Sequence, residues 1–417
     1  MRRRTVLAVL AGLAVAAAGG FDWPGWRGPR GDGRSPEPHF PLHWGPTQNV
    51  QWKAEVPGQG HSSPVVWGDR VFLTTCLEDA PGPVKPRQLL CYDRRDGRPL
   101  WQRTVVTAPL EPKHTENSYA SSTPATDGRH IWVTFLDLPR IRVACYDLDG
   151  RRVWETSPGN FNSRHGFCSS PVLYQDLVIV NCDQDDQEAF IVALDKATGR
   201  ERWRADRPNR TRSYCVPIVV EAGGRPQLVL SGSKCIASYD PHSGKQWWVI
   251  DGPTEQYVAS LVYRNGVLFL TAGYPELHLM GIDPTQTGNV THSAVLWHDR
   301  RNAAYVPSPV AEGDCFFVVS DNGVASCWDV KTGLRHWSER LGKHHHASAV
   351  AAGGHIYFPA DDGVTYVLKA GPKFELVAKN PLGEEVYGSP ALAGGAIFLR
   401  GRHHLFCVAE PASPAQR

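Results

Sequence analysis

The sequence predicts an all-β ring, an eight-bladed β-propeller of four-stranded antiparallel blades, and three observations predict it. One motif recurs at a fixed interval: an aromatic residue or Leu, then Asp, then a Gly turn, then Trp four residues after the Gly. It stands at Tyr92-Asp93…Gly97…Trp101, Tyr146-Asp147…Gly150…Trp154 and Leu194-Asp195…Gly199…Trp203. It returns at Tyr239-Asp240…Gly244…Trp248 and Trp328-Asp329…Gly333…Trp337, and with a longer turn at Ile282-Asp283…Gly288…Trp297. Second, a Ser-x-Pro-like step opens each unit, at Pro64, Pro124, Pro171, Pro217, Ser260, Pro309, Ala349 and Pro390, spaced by 40 to 60 residues. Third, the two ends of the chain complement each other.

In chain order, residues 1–20 read as a signal peptide. Arg2-Arg3-Arg4 is a positive n-region, Val6 to Ala18 a short apolar run, and Ala16-Ala17-Ala18 a cleavage site. No Cys follows for a lipid anchor, and Arg3-Arg4 suggests twin-arginine export. The expected localisation is therefore exported, in the periplasm or extracellular, with no transmembrane segment after cleavage. Residues 21–47 read as an extended N-terminal segment, 48–410 as the propeller and 411–417 as a C-terminal tail. Within a unit, short β-rich runs such as Val71-Phe72-Leu73-Thr74 and Leu89-Leu90-Cys91-Tyr92 are separated by Gly and Asp turns. The last unit, Tyr387 to Glu410, has no Gly…Trp fourth strand, and Asn49 to Val56 reads as a fourth strand without a blade. Pairing them closes the ring and removes two open edges. The seventh unit carries Gly371-Pro372-Lys373-Phe374 in place of the Trp turn, which leaves a seven-bladed ring as the second choice.

The pattern small-Leu/Tyr-Asp-x-x-Thr-Gly-x-x-x-Trp, complete at Ala193 to Trp203, resembles the repeat of the pyrroloquinoline-quinone-like, or quinoprotein-dehydrogenase-like, propeller family. The opening Trp23-Pro24-Gly25-Trp26-Arg27-Gly28-Pro29 resembles the mature start of exported bacterial members. The resemblance implies fold more than activity. It is similar on one side to the propeller lipoprotein of outer-membrane β-barrel assembly, though the lipidation Cys is missing. On the other side it implies a quinone-dependent oxidoreductase. Dehydrogenases of the family use adjacent cysteines beside the cofactor, and no Cys-Cys pair exists here. Neither their calcium ligands nor their catalytic Asp can be placed. No cofactor is expected, neither pyrroloquinoline quinone nor calcium.

Composition narrows the partners. Lys plus Arg number 44 against 42 acids, and losing Arg2, Arg3 and Arg4 takes the net charge from +2 to about −1. Such a balance argues against nucleic acid. Of 10 cysteines, Cys91, Cys145, Cys327 and Cys407 fall at the small-residue position held by Ala193 and Ser238, which makes them core residues rather than bridge partners. Cys76 with Cys91, or Cys168 with Cys182, remain open as pairs. Asp183 to Glu188 lacks the spacing of a calcium loop and reads as a solvated acidic turn. In His344-His345-His346 only the outer two share a face, so no metal is assigned.

One constellation points to function. A few residues ahead of the first-strand marks stand His61, Tyr119, Phe167, Tyr214, Tyr257, Tyr305, His345 with His346, and Tyr387. The segments entering the innermost strands converge on the axis, so these rings should line a funnel. His165 and the charged groups Glu116, Arg164, Arg212, Glu255, Lys343 and Glu385 lie nearby. The expectation is a monomeric, non-catalytic binding or scaffold propeller of the cell envelope. Its partner is an envelope protein or a small polar ligand held in the funnel. The alternatives are the oxidoreductase and a hydrolase or lyase using funnel carboxylates and histidines.

Overall fold

The computed structural model describes residues 21–411; the expected signal peptide at 1–20 and residues 412–417 of the expected tail lie outside the described residues. Eight antiparallel sheets form the propeller, so the seven-bladed alternative falls. Blades 1 to 7 cover 65–108, 125–156, 172–206, 218–251, 262–299, 310–340 and 350–381. Blade 8 joins 391–408 to Val50–Glu55, whose Trp52 pairs with Cys407 and Lys53 with Phe406. Second and third strands are buried on both faces, as in Leu177–Cys182 and Phe190–Asp195, because each blade is sandwiched between two others. Fourth strands alternate instead, as in Glu201–Asp206, since one face meets solvent at the rim. Phe72 and Cys91 of blade 1 share one apolar cluster with Ile131, Val133 and Tyr146 of blade 2, and this face-to-face burial is the main cohesive term.

The Gly…Trp motif is a device for docking one blade on the next. The indole N–H of Trp154 donates to the Lys196 carbonyl in the turn of the following blade at 2.8 Å. Trp52, Trp101, Trp203, Trp297 and Trp337 do the same toward Arg94, Leu148, Pro241, Val330 and Gly371. The ring lies flat on the next turn's glycine: a Cβ on Gly199 would sit 2.6 Å from Trp154. That same Gly holds φ +71°, a left-handed backbone that favours glycine. Asp195 closes the turn by accepting from the Ala197 and Thr198 N–H groups and the Thr198 hydroxyl. Trp248 departs, donating to Gln227 of its own blade, because the long turn after Asp283 places Gly288–Asn289 as a fifth, parallel strand beside it. The seventh unit's missing Trp also has a reason. Blade 8 takes its fourth strand from the N-terminal part of the chain, so no turn joins its third strand to its fourth and there is nothing to dock on. Trp44 covers the gap, its ring stacked 6.3 Å from Tyr357 and its backbone N–H donating to the Asn380 side chain.

Nearer the axis, a girdle of hydroxyls explains the Ser-x-Pro marks. The N–H of Ser63 donates to the Thr123 hydroxyl and that of Thr123 to Ser170, each at 2.9 Å. Val216 donates to Ser260, Ser260 to Ser308, Ser308 to Ser348, Ser348 to Ser389 and Ser389 back to Ser63, at 2.9–3.0 Å. One link is missing, at Val216, which has no hydroxyl to offer Ser170.

The segment 21–47 floors the ring. Trp23 pairs with Val66 of blade 1, and Gly33 and Ser35 bond to Ala351 of blade 7. Between them Arg27 is fully buried, donating to the carbonyls of Asp32, Ser308, Pro309 and Ala349. All ten cysteines are free. Cys91, Cys145, Cys327 and Cys407 oppose Phe72, Trp132, Phe317 and Phe398 at one equivalent register, facing separate blade interfaces.

Trp docking yields a direct test. Gly266 holds φ +86° with open space where its Cβ would go, so Gly266→Ala should cost about 1–2 kcal/mol for the left-handed backbone alone. Gly199→Ala should lose that plus about 1–3 kcal/mol of overpacking against Trp154. Urea unfolding of both variants measures the difference, and equal losses would refute the docking account.

Candidate functional site

Chain parity decides which side chains reach the axis. Counting two residues back from the hydroxyl girdle in each blade gives His61, Ser121, Cys168, Tyr214, Val258, Val306, His346 and Tyr387, and all eight line the axial cavity. In an extended segment the neighbours of these positions point the other way, although Tyr305 and His165, at odd offsets, still reach the cup. The wide part of the cavity is a cup of about 580 Å³. Below it the channel narrows to about 110 Å³ and ends on Trp26. A side lobe of about 750 Å³ opens between blades 7, 8 and 1.

Several expected site residues are corrected. Tyr257 is fully buried in the wall, its hydroxyl donating to the Gly252 carbonyl at 2.8 Å; it stands an odd number of positions from the girdle. His345 is likewise in the wall, bonded through Nδ1 to the Pro359 carbonyl. Phe167 packs on Phe161, with centroids 5.1 Å apart. Tyr119 lies outside the cup, its ring between the Arg87 and Lys113 cations. Arg212 reaches the cup wall but is held by Asp185 at 2.7 Å, so its charge is already matched. The acidic turn is corrected as well: Asp183 is buried and clamps Arg207, while Asp185, Asp186 and Glu188 are exposed.

The structure does bring together His61, Arg164, His165, Tyr214, Tyr305, His346 and Tyr387. His61 stacks on Tyr387 at 4.7 Å, and His346 meets the same ring edge-on at 5.9 Å. His165 stacks over Tyr214, whose hydroxyl lies 2.8 Å from that of Ser163. Tyr305 donates to Gln256 at 3.2 Å. Arg164 is exposed at the mouth, with no ion-pair partner among the described residues. Sequence reasoning missed Asp321 and Asp361. Each sits in the Asp-containing turn after a second strand and reaches back to fix the segment entering its own blade. Asp321 accepts from the N–H groups of Tyr305 and Val306, and Asp361 from that of His346. The repeated Asp-x-Gly of 321–323 and 361–363 was the available signal.

Two histidines against one tyrosine are shifted in opposite directions. Burial alone would discharge His346, but its Nδ1 lies 2.6 Å from Asp361 and its Nε2 3.4 Å from Glu116. The carboxylates prevail and raise it above the usual histidine range. His61 has no such partner; burial, with Arg400 nearby, pulls it down to about 3. Burial also lowers His165 and raises Asp321.

With this geometry in hand, comparison places the chain. A family model described as outer membrane protein assembly factor BamB matches residues 139–371, more than half of the sequence. The chain belongs to that family. Solved structures of this propeller class agree on fold. The BamB structure from Moraxella catarrhalis has a TM-score of 0.61 at 13% identity, over 87% of this chain and 97% of that one. The quinohemoprotein alcohol dehydrogenase from Comamonas testosteroni has 0.67 at 12%, over 94% of this chain and 81% of its own. A computationally designed protein, Ika8, has 0.59 at 11%, over 86% of this chain and 99% of its own. A BamB, a dehydrogenase and a design on one scaffold show that these likenesses speak for the fold alone. No curated protein matches the sequence.

The histidine pair predicts a measurable pattern. By imidazole NMR titration His346 should titrate above the ordinary value of about 6.5 and His61 well below it. With a raised folded value, His346 stabilises fully below about pH 6.5 and its contribution fades as pH rises through that folded value. His61 has the opposite sign, costing stability as pH falls below about 6.5. Asp361→Asn should bring His346 down; an unchanged His346 would refute the ion pair.

Proposed function

We propose that this protein is an exported, non-catalytic binding propeller of the cell envelope, acting as a monomer without a cofactor, and that the axial cup is its ligand-receiving surface. One observation carries the reading. Side chains from all eight blades converge on a cup closed below by Trp26, so the axis is a blind receptacle rather than a pore. A cavity of this size with a few fixed polar groups and stacked rings suits a small polar ligand or the projecting segment of an envelope protein. The family description, an assembly factor of the outer membrane, supports an envelope partner. Among the described residues no helix is long and apolar enough to cross a membrane.

The oxidoreductase alternative has less behind it. Among the described residues no group of three or more His, Cys, Asp and Glu is arranged to hold a metal ion. Cys168 is the single cysteine among the described residues on the cup, and the half-buried Asp321 spends its oxygens on backbone N–H groups. These residues do not fit a calcium-bound quinone, and no step through one is derived.

The test is binding by cup variants. Arg164→Ala combined with Tyr305→Ala should lose most retention of the ligand captured from an envelope extract. Arg164 is exposed at the mouth, whereas Tyr305 is half-buried against Tyr274 and Gln256, so the melting temperature should fall by no more than about 5 °C. Retained binding in a folded double variant would place the site elsewhere.

A further inference from the structure

The last inward-facing position of the second strand serves the same purpose in most blades. Thr74, Thr134 and Thr271 each donate a hydroxyl to a carbonyl of the segment entering the next blade, at 2.7–2.8 Å, and Asn181 reaches Cys215 likewise. In blade 8 the equivalent residue is Arg400, set by the pairing of Phe398 with Cys407 just before it. Its Nη1 reaches the same segment of the next blade, donating to the Ser62 hydroxyl, and also donates to the Thr74 carbonyl in that blade's second strand. A threonine suffices for that tie elsewhere, so most of the guanidinium is surplus to it.

The surplus is unusual in its surroundings. Arg400 is 1% exposed, yet its Nε and Nη2 have no hydrogen-bond partner. It makes no ion pair among the described residues, whereas buried Arg207 is clamped by Asp183 and buried Arg87 by Glu111. A buried cation without a counter-charge is costly. Burial pulls its pKa down to about 10, which leaves it charged at neutral pH. The unused nitrogens form the side edge of the guanidinium, two parallel donors matched to the two oxygens of a carboxylate. Arg400 lines the side lobe together with Gly60, whose backbone covers Nη2, and the unused edge is closed to bulk solvent; a Cβ on Gly60 would fall 2.6 Å from Nη2. No side chain at position 60 therefore stands over the guanidinium. Further out the lobe is acidic, with Glu78, Asp79 and Asp362 beside Lys113 and Lys343.

We propose that the side lobe is a carboxylate-binding site, in which the free edge of Arg400 takes the carboxylate of a zwitterionic amino acid or short peptide whose cationic end lies against the acidic rim. The inference deepens the reading of the cup as a receptacle and rests on it. A polyanion such as phosphate would meet the rim acids, so the lobe should select a single carboxylate carrying positive charge elsewhere.

Calorimetric titration of the full chain with Gly-Gly-Lys, its C-terminal amide, free lysine and inorganic phosphate tests this. The peptide acid should bind at least about tenfold more tightly than the amide, which cannot offer two charged oxygens. The lysine arm separates free amino acid from peptide as the source, and phosphate should be weakest. Arg400→Thr keeps the tie found in blades 1, 2 and 5, so it should stay folded and lose the acid-over-amide preference. Should that variant unfold, Arg400→Lys keeps a cation but not the paired edge and should show the same loss. Absence of binding, equal binding of acid and amide, tighter phosphate, or a preference surviving in the folded variants each overturns the inference. If Arg164→Ala still impairs capture of the extract ligand in that event, the cup reading stands without this site.

Discussion

The backbone N–H to hydroxyl bonds at the start of the blades' first strands are the constraint on which the rest of this molecule depends. A first strand of three residues, such as Val65–Trp67, has little ladder of its own to fix its height along the axis. Passing one hydrogen bond from blade to blade fixes it, because each first strand so linked sits level with its neighbour. A ring of sheets stacked by apolar faces alone would slide, since the hydrophobic effect has no direction. The outer tryptophans hold the same stack at its rim, so each blade is gripped at two radii.

That levelling creates the cup. Once the girdle residues share one height, the side chains two positions earlier meet at one level around the axis. They are not an even ring. His61, Tyr387 and His346 are contiguous around the closure, with Tyr214 opposite, while Ser121, Cys168, Val258 and Val306 leave the remaining wall low. The cavity is therefore deep and polar on the side where the two ends of the chain meet. Placing His346 between Asp361 and Glu116 favours its charged form, while burial favours the neutral form of His61 on the same tyrosine.

The architecture was legible because its signals repeat. Each Gly-to-Trp interval restates the same docking contact, and a spare strand at Asn49 to Val56 matched a blade short of one. What sequence could not show was the phase of the segments entering the blades. Marking blade 5 at Ser260, the girdle residue itself, rather than at Leu261 moved Tyr257 from the wall to the axis on paper. His345 and Phe167 failed for the same reason, an odd offset that only a fixed height resolves. Partners across blades were also out of reach: nothing near Arg212 in the chain announces Asp185, and nothing near Asp183 announces Arg207. The degenerate seventh unit looked like evidence for a smaller ring until the eighth blade proved to have no turn for a tryptophan to cover.

The buried Arg27 under the ring has an outcome for how the molecule can be held. Its segment runs beneath the axis from Trp23 at blade 1 to Ser35 at blade 7, on the side of the girdle away from the cup. Phe21, the first described residue, thus lies on the underside. A tether attached there, to a bead, a surface or a neighbouring domain, leaves the mouth pointing outward and unobstructed. At the other end Ala409 bonds to Asn49, beside the strand Val50–Glu55 at the perimeter of blade 8. Orientation on a support is therefore set by which terminus is chosen: the leading end presents the opening face-up, and the trailing end presents the molecule edge-on.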